Sequence, residues 1–323
     1  MRRPALQPVA CLGAALALTG CAPAPRPLGP PVRTAHASPG AHAQAFGVEL
    51  AWWVVDDNPF DDRLATGEAP RAIADARPIA EVFAPYLNRV VPVPKDARER
   101  WKANGFRMVS VPRADLDAVR DSLRLSGPVQ QQWVGDSPRW MQAMQGPRWT
   151  SPQPARLDDG PVTLSHGSLR LLMRCWSAPA LTTASIDPAK LPVGAIPGAV
   201  HLELIPQHAT PAERADIAAL LKPRPALHDE GALFTRLSLE ASFNTDDALL
   251  IIPDRPDAEW KIKTEPAPDF GEGLFSSVGP PIPATPTLGE LMMTDLPTGG
   301  RRNSRIVLVI QPIPPATFNL LPR

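Results

Sequence analysis

Proline occupies 42 of the 323 positions, and this constrains the fold more than any other feature of the chain. Each proline fixes its own φ and lacks a backbone N–H, so it breaks a helix interior and is confined to strand edges, strand ends and turns. At this density long helices are excluded and many short strands and turns are favoured. A hydrophobic share of 44% still supplies a core for the 278 residues from Phe46 onward, a length that suits one large or two ordinary domains.

Residues 1–45 read differently. Arg2 and Arg3 precede the apolar run "VACLGAALAL" from Val9 to Leu18, which at ten residues is too short for a membrane-spanning helix of about 20. This is the layout of a secretory signal peptide. Leu18-Thr19-Gly20-Cys21 resembles the lipobox of bacterial lipoproteins. The resemblance implies removal of residues 1–20, acylation of Cys21 and anchoring in a membrane. Ala22, where an Asp would signal inner-membrane retention in some bacteria, points to the outer membrane. From Ala22 to Ala45 six residues are proline, none is acidic and large hydrophobes are nearly absent. Such a segment cannot bury enough apolar surface to offset its ordering entropy. It is expected to serve as a disordered tether reaching about 25 to 30 Å as a coil.

Without residues 1–20 the chain holds 31 basic and 33 acidic side chains. That near-balance offers no concentrated basic patch for nucleic acid. Of the three cysteines, Cys11 leaves with the signal and Cys21 takes lipid, so Cys175 is the one thiol remaining. It shares a strand face with Leu169, Leu171 and Met173, which reads as a buried small hydrophobe.

Residues 46–150 have mixed α/β patterning. "GVELAWWVV" is a strand signal, Asp96 to Asn104 a helix stopped by Gly105, "FRMVSV" a strand, and Arg113 to Leu125 a second helix with Leu116, Val119 and Leu123 on one face. Ser137-Pro138 opens a short expected helix carrying Trp140, Met141 and Met144. From 151 to 323 the period changes to two. "SLRLLMRC", "AVHLELI" and "LFTRLSLEASF" alternate, with Arg170 and Arg174 opposite the apolar side. Asn244 to Asp247 is a turn candidate joining the third of these to "ALLII" as a hairpin, and "TLGELMM" and "RIVLVIQP" flank a loop long enough for another. One helix is signalled at Thr210, Pro211 and Glu213 by a capping box. The expected class is therefore α+β: an N-terminal α/β unit followed by a mainly antiparallel β domain, after a signal peptide and a disordered linker.

The succession "VHLELIP", "TRLSLEASFNTDDALLIIP", "PTLGELMMTD" and "RRNSRIVLVIQP" resembles the C-terminal β-hairpin series of the secretin family, outer-membrane rings of secretion systems. It departs from that series at Pro253-Asp254, where a Gly-Gly pair is expected, and no run of repeated ring-building domains precedes it in this sequence. The resemblance implies a local hairpin fold rather than a pore.

Several clusters are candidates for chemistry. "DDNPFDD" gathers Asp56, Asp57, Asp61 and Asp62. Oxygen-rich loops bind Ca²⁺, but the alternating spacing and central Gly of an EF-hand loop are missing, which leaves a solvated acidic turn as the other reading. The six histidines form no H-E-x-x-H pair, "SHGS" at 165–168 sits outside any G-x-S-x-G elbow, and "GGRRNSR" reads as an anion-holding or simply charged loop. No cofactor motif occurs. Seven of the eight tryptophans fall between Trp52 and Trp176. Core packing, a protein interface and a sugar platform are the three readings of that concentration, with Trp53, Trp133 and Trp149 as interface candidates. Together these features lead to the expectation of a lipid-anchored cell-envelope protein. Its anchor at Cys21 would hold it to the outer membrane, facing the periplasm, as a binding, scaffold or accessory component, with another envelope protein as candidate partner. An envelope hydrolase using a metal or a Ser/His site is the alternative.

Overall fold

The computed structural model describes residues 46–56, 78–180, 196–210, 226–255, 285–294 and 304–318. The expected signal peptide, Cys21, the expected tether, Asp57, Asp61, Asp62, the helix expected from Pro211 and Arg301-Arg302 lie outside the described residues. Gln44–Arg323 forms one compact unit.

In chain order the elements are β1 (Gly47–Asp56), α1 (Ile79–Phe83), α2 (Lys95–Ala103), β2 (Phe106–Pro112), α3 (Leu116–Asp121), β3 (Gln130–Gly135), β4 (Ser137–Trp149), β5 (Gln153–Leu157), β6 (Gly160–Leu164), β7 (Gly167–Pro179), β8 (Gly198–Ala209), β9 (Gly231–Leu233), β10 (Leu239–Phe243), β11 (Asp247–Pro253), α4 (Leu288–Met293) and β12 (Ser304–Ile313). Every pairing between these strands is antiparallel. The described fold is thus mainly antiparallel β, as the short-strand patterning predicts.

Two sheets carry the architecture. The first has the order β2-β11-β12-β1-β3, the second β10-β8-β7-β4 with β9 also on β8, and β5-β6 forms a separate hairpin. In the first sheet β11 and β12, from beyond residue 150, lie between β2 and β1, from before it, so the change in sequence period there is not a boundary between sheets. Alternation along β1 builds two cores from one strand. Val48 and Leu50 enter the core shared with the second sheet, α2 and α4, while Ala51, Trp53 and Val55 enter the core beneath α1 and α3. The same division runs through β12, whose Leu308 and Ile310 face one core and Val307 and Val309 the other. A strand covered on both faces reads as a continuous apolar run, which explains "RIVLVI".

That rule also corrects the expected hairpin at Asn244 to Asp247. Strand β10 pairs with β8 in the second sheet, whereas β11 pairs with β2 and β12 in the first. The alternating burial of β10 suits an edge with one covered face, while Ala248 to Ile252 are buried on both sides and demand a central position. The turn therefore crosses between sheets, and the hairpin implied by the secretin resemblance does not form there.

Three local expectations also change. Residues 137–149 form a strand, not a helix. Pro138 and Pro147 are tolerated because β4 is an edge whose pairing to β7 contains three register shifts. "TLGELMM" is helix α4 rather than a hairpin strand. Its Thr287 hydroxyl accepts from the Glu290 N–H at 3.3 Å and the Glu290 carboxylate accepts from the Thr287 N–H at 2.9 Å, a complete capping box. Helix α3 ends at Asp121, short of Leu125, which instead bridges to Val55 of β1.

Candidate functional site

The three tryptophans singled out as interface candidates do not form one surface. Trp53 is 3% exposed in the core beneath α1 and α3. Trp149 is buried in the inter-sheet core, donates its indole N–H to the Ser165 carbonyl at 2.7 Å and stacks on His208 with ring centroids 5.9 Å apart. Trp133 alone is exposed, at 36%, on β3. Trp52 and Trp101 are likewise structural, donating to the carbonyls of Ala143 and Leu237 at 3.0 and 2.9 Å.

The chemical candidates disperse as well. Asp56, the described member of the acidic cluster, lies 3.8 Å from the Arg124 guanidinium. Among the described residues no group of three or more His, Cys, Asp or Glu side chains is placed to hold a metal ion. In "SHGS", Ser168 is buried and accepts from the Gln145 side chain at 3.1 Å. The Ser165 carbonyl, not its hydroxyl, faces His208, whose Nε2–H donates to it at 3.1 Å. Cys175 is fully buried and donates to the Gly135 carbonyl at 3.3 Å, and burial pushes its thiol up to about 11. So high a value keeps it protonated and unreactive at neutral pH.

The outer face of the second sheet holds a different cluster. Along β7, Leu169, Leu171, Met173 and Cys175 point into the inter-sheet core, so the pleat directs Arg170, Arg174 and Trp176 to the opposite face. Register sets Arg174 against Glu203 and Trp176 against His201 of β8. The Arg174 guanidinium lies 4.8 Å from the Trp140 ring centroid and 5.5 Å from that of Trp176, and its Nε–H donates to Glu203 at 2.6 Å. The His201 ring is 4.5 Å from that of Trp176, and its Nε2 is 3.8 Å from Glu203. Trp140, Trp176 and His201 are all half-buried, and the Arg174 side chain is 36% exposed. A planar cation is therefore fixed against two indoles by a carboxylate and still meets solvent.

Trp176 is legible in the sequence, since it shares the parity of Arg170 and Arg174. Trp140 is not, because the residues from Ser137 read as a helix and fold as strand β4. Further along the same face, Arg170 makes an enclosed polar node. Its Nε–H donates to Gln207 at 2.6 Å, one terminal nitrogen to Glu230 at 3.0 Å and the other to the Leu227 carbonyl at 2.8 Å. Gln207, fully buried, donates in turn to the carbonyls of His228 and Gly231. This node clips residues 227–231 onto the sheet.

No protein-family model, curated protein or solved structure matches this chain. Among the described residues no helix is long and apolar enough to cross a membrane.

Proposed function

We propose that the protein is a lipid-anchored component of the cell envelope, held to the outer membrane through Cys21 and facing the periplasm, that binds another envelope protein through the outer face of its second sheet. The observation that supports the binding role is the half-exposed cluster of Trp140, Arg174 and Trp176. Tryptophan and arginine dominate the energetic centres of protein interfaces. Here the Glu203 contact at 2.6 Å holds the guanidinium in place before any partner arrives, which lowers the ordering cost of association. Because Glu203 balances the charge of Arg174, the surface offered is amphipathic and carries no excess positive charge at this point, suited to a protein face rather than to a polyanion. The resemblance of Leu18 to Cys21 to a lipobox supports the anchor, and the proline-rich 22–45 segment gives the folded unit reach above the membrane.

The test is cross-linking in native membranes with identification of neighbours, repeated for Trp176→Ala and Arg174→Ala alongside their melting temperatures. Loss of one defined neighbour with the fold intact supports the reading. An unchanged neighbour set, or loss only in variants that unfold, removes it. Cys21→Ser separately tests the anchor, since it should abolish fatty-acid incorporation and release the protein from membranes. Full membrane retention of that variant would reject the anchor alone.

A further inference from the structure

Strand β10 lies at one edge of the second sheet and pairs with β8 in a register that sets Glu240 directly opposite Glu203. Leu239, Ala241 and Phe243 point into the inter-sheet core, so Glu240 and Ser242 share the outer face with Glu203 and His201. Residues opposite one another on such a pair hold their Cβ atoms about 5 Å apart, and like charges there are destabilising. A charge on an edge strand discourages stray pairing, but either sign does that. The sign present at position 240 is the one that repels its register partner, where a lysine would have paired with it.

Neither carboxylate is fully engaged. Glu203 accepts from Arg174 with Oε2 at 2.6 Å, while its Oε1 is 3.8 Å from His201 Nε2, beyond hydrogen-bond reach. Glu240 is exposed, and among the described residues nothing pairs with its carboxylate. In the two rows that hold Arg174 and Trp176, strands β7, β8 and β10 thus set one guanidinium and one imidazole against two carboxylates. With the imidazole neutral, the margin of the tryptophan cluster is negative.

We propose that the partner of this face seats a lysine between Glu240 and Glu203, an inference that rests on the binding role proposed above and names the chemistry of its partner. Charge complementarity selects a cation. An ammonium is a point charge with three freely turning donors and can bridge two carboxylates set side by side. A guanidinium favours both oxygens of a single carboxylate, and Glu203 has already given one of its own to Arg174. The repulsion present in the free protein is relieved on binding, so the pair that weakens the fold strengthens the complex.

The test uses the full chain in native membranes and a carbodiimide, which joins a carboxylate to an amine only where the two touch. Wild-type protein should give an amide between Glu240 or Glu203 and a lysine of a neighbouring protein, mapped by mass spectrometry. Against that neighbour, purified, Glu240→Lys should weaken binding roughly tenfold or more, while its own melting temperature does not fall. Glu240→Gln, which only removes the charge, should weaken binding as well and lessen its dependence on salt. Exchanging the neighbour's lysine for glutamate should restore binding to Glu240→Lys. Trp176→Ala separates the two claims. A neighbour that is lost with Trp176→Ala but is indifferent to Glu240→Lys, or that is joined through no lysine, overturns this inference and leaves the proposed function standing. If no neighbour depends on either Trp176 or Glu240, both fall.

Discussion

Gly105 and Gly289 cross so closely that a Cβ on Gly289 would lie 1.9 Å from the Gly105 carbonyl oxygen. The Gly289 N–H donates to the Asn104 carbonyl at 3.0 Å, and Gly105 has φ +87°, ending α2 in the left-handed region. Asp254 donates its N–H to the Gly105 carbonyl at 3.0 Å. The end of α2, the start of α4 and the end of β11 thus meet at one point. The glycine of "PTLGEL" is explained by this approach of two backbones.

Gly289→Ala should therefore cost about 2 to 3 kcal/mol or more, as overpacking against unyielding backbone does. Gly127→Ala, with no atom within 4 Å of the added Cβ, should stay within about 0.5 kcal/mol of wild type. Urea unfolding of both variants checks the contrast. Equal midpoints would mean that the two segments separate easily.

Trp53→Ala should lose about 3 to 5 kcal/mol, the usual cost of truncating a buried aromatic, because its ring fills the core that includes Phe83 and Val109. Trp133→Ala should cost far less, since the side chain is already 36% exposed. Melting temperatures of the pair test the assignment of Trp53 to structure.

Much of this arrangement is legible in single strands and little of it in their pairing. The pleat of "GVELAWWVV" correctly sends Trp52 and Trp53 to opposite faces, and the parity of "SLRLLMRCW" places Cys175 inside and Arg174 outside. Short period-two runs do not say which strand lies beside which. The turn at Asn244 to Asp247 has the composition of a hairpin, yet the demand of "ALLII" for cover on two faces draws β11 into the other sheet. The cluster around Arg174 is illegible in the sequence for the same reason. Arg174 meets Glu203 through register and Trp140 through a neighbouring strand, relationships that no spacing in the chain encodes.

Arg170→Ala should destabilise the fold by about 3 kcal/mol, the scale for breaking one side of an enclosed ion pair. The Arg170 side chain is 7% exposed and that of Glu230 20%. Arg170→Lys should recover less than half of the loss, because one ammonium cannot reproduce three bonds in a fixed planar fork. Hydrogen exchange gives a second readout. Amides within 227–233 should lose protection in both variants, and protection kept there would show that the node does not hold the segment.

His208 gives the fold a dependence on pH. Burial holds its pKa below the ordinary value of about 6.5, assisted by nearby His166 and opposed by the hydrogen bond to the Ser165 carbonyl. Between that lowered value and about 6.5 the unfolded chain binds more protons at this site than the folded one. The contribution to stability is therefore complete above about 6.5 and is lost as pH falls through that value toward the folded pKa. The ring has little room to take up charge, being 7% exposed and stacked on Trp149 at an interplanar angle of 4°. The melting temperature should fall as pH is lowered from 7.5 to 5.5, and His208→Gln should flatten that fall, whatever its effect at pH 7.5. An identical slope in the variant would assign the acid sensitivity to other groups and leave His208 a packing residue alone.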